Sequence, residues 1–154
     1  MKKKLNVFCI LLLVLMITSA VLAIMAGASD FRQGWEDGAN DTPTPGFFGI
    51  ISALVILGGA VVYLYAFACF VRFILCVNHG EVFTWDNVDL LRTVGWCVVI
   101  NTLVMWSILS FELGNLLEVW SDGIGIIAEG LFILIMAEAF SIGLKLKEEQ
   151  DLTI

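Results

Sequence analysis

Charge and histidine are what this chain has least of. Only 15% of its 154 residues are charged, and it holds one histidine and two prolines. A soluble domain carries nearer a quarter of charged residues. His79 has no serine or cysteine beside it, so no nucleophile–base pair can be drawn. There is no glycine-rich phosphate loop and no cluster with metal-ligand spacing. The sequence therefore points away from an enzyme, and no catalytic residue, cofactor or metal site is expected. The four cysteines, Cys9, Cys69, Cys76 and Cys97, fall inside apolar runs, none as Cys-x-x-Cys. They read as small apolar side chains in helix packing. A net charge of −7 leaves no basic surface for direct nucleic-acid binding.

What is abundant is apolar sequence: 60% of the residues are hydrophobic. They gather in four blocks, with the charges between them. A charge at mid-bilayer costs about 2.5–3.5 kcal/mol even on the mildest scale, so this segregation is what a membrane demands. The blocks fall at about 5–28, 47–77, 90–110 and 124–144, each near the ~20 residues that cross the hydrocarbon as a helix. None alternates as a barrel strand does. The first block also has the layout of a secretory signal. Its apolar run of about 24 residues exceeds the ~7–15 of a signal core, so it reads as a span.

Lys2, Lys3, Lys4, Arg72, Arg92, Lys145 and Lys147 fall on one side of this arrangement, and Arg32 alone on the other. By the positive-inside rule both termini and the connection around 78–89 are cytoplasmic. The expected fold is all-α: an integral membrane four-helix bundle forming a single domain over 1–154, with N and C termini cytoplasmic and a short tail at 145–154.

The outer stretch 30–45 carries four acids and Gly34, Gly38, Pro43 and Pro45, which favour a solvated loop. The second outer stretch has Leu113, Leu116, Leu117 and Trp120 at amphipathic helix spacing, opposite Glu112, Asn115 and Glu118. It either lies on the outer surface or prolongs the third span. In the cytoplasmic connection Thr84 is a candidate N-cap, Asp86 and Asp89 suit the positive end of a helix, and Asp89 pairs with Arg92 at i, i+3. The third helix is thus predicted to start near Trp85, ahead of the lipid.

Ionisable and amide groups within the spans are the candidate intramembrane polar network: Arg72, Glu138, Asn101 and Glu129. Arg72 and Glu138 both lie roughly 8–9 Å inside the cytoplasmic face. They either pair or snorkel separately. Glu129 and Glu138 fall on opposite helix faces and form no paired-carboxylate site. Asn101, near the middle of the third span, either bonds a neighbouring helix or lines a polar path. Gly58, Gly59 and Ala137-x-x-x-Ser141 permit close helix approach.

Two stretches resemble a known family. One is Gly80-Glu-Val-Phe-Thr-Trp-Asp-Asn87 with Leu90-Leu-Arg92 and Gly95. The other is Ala137-Glu-Ala-Phe140, Gly143 and Leu146-Lys-Glu-Glu-Gln-Asp-Leu-Thr-Ile154. They are similar to the bacterial membrane proteins grouped as domain of unknown function 2975. The resemblance implies a four-span inner-membrane protein, multi-pass in the bacterial cytoplasmic membrane, with no established chemistry. It also implies association with a small cytoplasmic helix-turn-helix transcriptional regulator.

These residues leave two functions in view. One is a non-enzymatic regulatory or sequestering protein. Its candidate partner-binding residues are Phe83, Asn87, Arg92, Glu148, Glu149, Gln150, Asp151, Leu152, Thr153 and Ile154. The other is a small channel or transporter subunit, for which a homo-oligomer would supply the missing spans. In both, the bilayer itself is the first partner.

Overall fold

The computed structural model describes residues 2–40, 46–80, 82–113 and 116–152. Four helices account for nearly all of them: α1 (Lys2–Asn40), α2 (Phe47–Asn78), α3 (Trp85–Leu113) and α4 (Leu116–Asp151). Each is long and apolar enough to cross a membrane, with candidate spans Val7–Glu36, Gly49–Asn78, Trp85–Phe111 and Trp120–Asp151. The all-helical architecture read from the four blocks is therefore present. The chain divides into two units, residues 1–50 and 51–154.

In the first unit α1 runs well past the expected end of its span, through Gly34 and Gly38 to Asn40. Residues 30–40 of the expected solvated loop are therefore helical, and residues 41–45 lie outside the described residues. Glycine lowers helix propensity by only about 1 kcal/mol, which local pairs can offset. Arg32 Nε donates to Glu36 Oε1 at 3.0 Å across one turn. The rings of Phe31 and Trp35, also four apart, have centroids 6.3 Å apart.

In the second unit the helix ends follow local chemistry. Gly80 stops α2. Its φ is +94°, a conformation that L side chains rarely adopt, and its N–H donates to the Val77 carbonyl at 3.1 Å. Thr84 then caps α3, its Oγ1 accepting from the Asn87 N–H at 3.4 Å. Asp86 sits in the first turn. The predicted start near Trp85 and the Asp89–Arg92 pair, 3.7 Å between Oδ1 and Nη1, are both found. The amphipathic stretch is divided, with Leu113 ending α3. Leu116, Leu117 and Trp120 belong to α4 rather than to α3.

α3 and α4 pack antiparallel. On α4 the buried Gly123, Gly130, Ala137 and Leu144 recur every seven residues, with Ser141 beside them. A seven-residue repeat keeps one stripe turned toward one neighbour. Here Gly123, Gly130 and Ala137 make most of the stripe small, which suits lipid: acyl chains are as apolar as leucine, so close packing rather than hydrophobic exclusion holds helices together. Gly95 and Gly130 face each other. A Cβ on Gly95 would stand 3.1 Å from the Gly130 carbonyl oxygen, and one on Gly130 would stand 3.3 Å from that of Gly95. Further along, the Trp106 indole lies where a Gly123 side chain would be.

The surface is inverted relative to a soluble protein. Ser52, Thr102, Ser110 and Ser141 are buried, while Leu57, Leu64, Phe132 and Ile135 are largely exposed. Thr102 and Ser110 donate to the carbonyls of Val98 and Trp106, each at 2.7 Å, so their hydroxyls are satisfied within α3.

Candidate functional site

The polar and aromatic contacts of the second unit concentrate at one end, where the α2–α3 turn meets the last turns of α4. Gly80 reverses the chain. Val82 then accepts a 3.2 Å bond from Asn87 Nδ2, tying the turn to the start of α3. Asn87 is fully buried in this cap, and Val88 behind it is 1% exposed.

So fixed, the turn lays Phe83 on α4. The Phe83 and Phe140 ring centroids are 5.5 Å apart, and Phe140 meets Phe73 of α2 edge-on at 6.2 Å. Gly143 makes room for this ring: a Cβ there would lie 3.5 Å from Phe83 Cε1. Edge-on and offset ring pairs place the positive edge of one ring against the negative face of the other. The three phenylalanines thus connect α2, the turn and α4.

Two polar bonds flank the aromatic contact. Trp85 Nε1 donates to Glu148 Oε1 at 2.8 Å. Arg92 places Nε and Nη2 both 2.9 Å from Glu138 Oε1. These rungs, with Gly95–Gly130, fix the register of α3 against α4 from Trp85 to Gly95. They also place the α2–α3 turn and the C-terminal turns of α4 at the same end of the unit. His79 folds back on the last turn of α2, its Nδ1–H donating to the Leu75 carbonyl at 2.9 Å.

Several expectations change here. Glu138 pairs with Arg92, not with Arg72. Depth along the helices suits either arginine, but the rotation of α3 against α4 puts Arg92 beside the buried Ala137 stripe. Arg72 is exposed on α2 and forms no ion pair among the described residues. Glu129 is exposed on α4, likewise with no ion pair there. Asn101 lies in a groove between α2 and α3, against Gly59, whose Cβ would fall 2.9 Å from its Oδ1. Of the four network residues only Glu138 joins the site, and its partner came from the other set of candidates.

That other set divides. Phe83, Asn87, Arg92 and Glu148 come together at this end, Asn87 as a buried cap rather than a contact surface. Glu149, Gln150 and Asp151 continue α4 as an exposed helical extension, and Leu152 follows it 88% exposed. Thr153 and Ile154 lie outside the described residues. The tail is thus helical to Asp151. Trp85 as the partner of Glu148, and Phe140 and Gly143 as the seat of Phe83, carried no sequence signal beyond their place in the family-like stretches. The seven-residue spacing of Gly123, Gly130 and Ala137 was readable and longer than the Ala137–Ser141 pair singled out. Among the described residues no group of three or more His, Cys, Asp or Glu is placed to hold a metal ion, and the four cysteines are unpaired.

Residues 33–154 match the family described as protein of unknown function (DUF2975), and the chain belongs to that family. The stretches that resembled it, 80–95 and 137–154, contribute most of the residues that meet at this end. No curated protein and no solved structure matches the chain.

Proposed function

We propose that this DUF2975 member is a non-enzymatic regulatory protein of the bacterial inner membrane. The end formed by the α2–α3 turn and the last turns of α4 faces the cytoplasm and holds a small soluble partner. The observation that carries this reading is the convergence of Phe83, Trp85, Arg92, Glu138, Phe140 and Glu148 on one surface, with α4 projecting beyond it. The contacts are bonds between protein groups; they shape a surface and supply neither nucleophile nor base. The positive-inside distribution supports the cytoplasmic orientation, because Arg72, Arg92, Lys145 and Lys147 border this end.

The partner's chemistry follows from the charges. Asp86, Glu149 and Asp151 are exposed here, and the chain as a whole carries −7. A basic partner suits this surface, and the small helix-turn-helix regulator implied by the family stretches is the class that fits it. Holding such a regulator by an acidic helix would keep it from the nucleic acid that its basic face also binds.

The test is co-purification from native membranes of full-length protein and of a chain ending at Lys147. The full-length form should retain a small basic protein that the shortened form loses, and retention should fall as salt rises. Equal recovery with both forms would remove the tail from the mechanism. A channel or transporter subunit is the competing reading. Arg72, Asn101, Glu129 and Glu138 would have to line one route, and proton or cation flux in liposomes abolished by Glu138→Gln would favour it.

A further inference from the structure

The groove between α2 and α3 is a second feature, away from the turn. It has a volume of about 380 Å³ and is lined by Val55, Gly58 and Gly59 on α2 and by Cys97, Asn101 and Val104 on α3, among others. Its walls are almost wholly apolar, and Asn101 is the one side-chain amide among them. That amide is partly exposed and makes no hydrogen bond with any described residue. It stands near the middle of α3 (Trp85–Leu113).

In hydrocarbon such an amide needs a polar group at its own depth, because acyl chains offer none. Two copies of this chain inserted in the same direction meet that requirement by symmetry. A two-fold axis along the membrane normal places each Asn101 level with its equivalent. An amide both donates and accepts, so the pair is self-complementary. The surrounding surface has the shape for it. A Cβ on Gly58 would find nothing within 4 Å, which leaves room for an approaching helix. Cys97, Asn101 and Val104 recur at i, i+4, i+7, a stripe of modest side chains along α3. We infer that this groove is the contact face of a two-fold dimer in which Asn101 of one copy bonds Asn101 of the second.

The experiment uses the full chain with Cys9, Cys69 and Cys76 replaced by alanine, so that Cys97, one turn from Asn101, is the remaining thiol. In native membranes mild oxidation should give a Cys97–Cys97 dimer. In vesicles at falling protein-to-lipid ratio, single-molecule photobleaching should show Asn101→Leu weakening the dimer roughly tenfold. Asn101→Gln, which keeps the amide, should restore most of the loss. Circular dichroism of each variant establishes that the helices persist. Three results would overturn the proposal: monomers at every ratio, dimers as strong in Asn101→Leu as in the parent, or Cys97 cross-linking to a cysteine placed in α1 of the same chain. The last would make α1 the occupant of the groove.

Discussion

The close approach of Gly95 and Gly130 gives the sharpest stability test. In Gly95→Ala the new methyl would lie 2.7 and 2.8 Å from Leu134 Cγ and Cδ2, and 3.1 Å from the Gly130 carbonyl oxygen. Apolar carbons rest about 3.5–4.0 Å apart, so Leu134 must move by roughly an ångström. The carbonyl belongs to the α4 backbone and can move only if the helices separate. Overpacking of this kind costs about 1–3 kcal/mol. The substitution also gains up to ~1 kcal/mol of helix propensity, which partly masks the cost. Gly125→Ala, also in a helix, removes the ambiguity: its Cβ would meet nothing within 4 Å, so it carries the propensity gain alone. The difference between the two variants is then the packing cost, about 1–3 kcal/mol. Equilibrium unfolding of the full chain by denaturing detergent in mixed micelles measures it. Gly125→Ala should match or exceed the parent, and Gly95→Ala should fall below it. If the two variants shift together, the helices do not meet at these glycines and the α3–α4 register is wrong.

Further outcomes follow from the turn and its contacts. Gly80→Ala should destabilise by about 1–2 kcal/mol, since alanine has no comfortable conformation at φ +94°, as read by the same unfolding measurement. Arg92→Glu and Glu138→Arg should each lower stability, and the double exchange should restore it. Their side chains are 37% and 60% exposed, so the effect should stay within about 1 kcal/mol and shrink with added salt. A parallel exchange of Arg72 and Glu138 should restore nothing. Trp85→Phe removes the bond to Glu148 while keeping a ring, and should make the chain beyond Lys147 more susceptible to protease without altering the helices above it.

Most of the helical architecture was legible because lipid-like composition and local capping are one-dimensional signals. An apolar run has a length, Thr84 stands three residues before the N–H that it accepts, and Gly80 ends a helix where it stands. What the sequence hid was rotation. Arg72 and Arg92 both lie near the same end, and depth alone cannot choose between them as partner for Glu138. The choice depends on which face of α3 meets α4, and that is decided by the stripe of Gly123, Gly130 and Ala137. The helical outer part of α1, and the placing of Leu116, Leu117 and Trp120 in α4, were not legible for a related reason. Glycine, proline and amphipathic spacing give the tendency of a segment, but not which neighbouring helix absorbs it.

The inverted surface bears on where specificity can reside. Along the shared length of α3 and α4 the buried groups are small or aliphatic, and the hydroxyls of Thr102 and Ser110 are spent on their own helix. Such a seam holds two helices together but leaves little that another molecule could recognise. Between-element side-chain bonds instead gather below Gly95, at Arg92–Glu138 and Trp85–Glu148, where each bond joins the start of α3 to the second half of α4. A partner that drew Glu148 away from Trp85 would loosen one of these bonds while leaving the glycine seam in place. On the proposed function, the tail would exchange an internal partner for an external one without disturbing the pair of helices that carries it. In that arrangement binding at the end of α4 competes with the Trp85 bond, so Trp85→Phe should tighten capture of the soluble partner even as it exposes the tail to protease. Weaker capture by that variant would mean that the bonded, rather than the released, position of Glu148 is the one recognised.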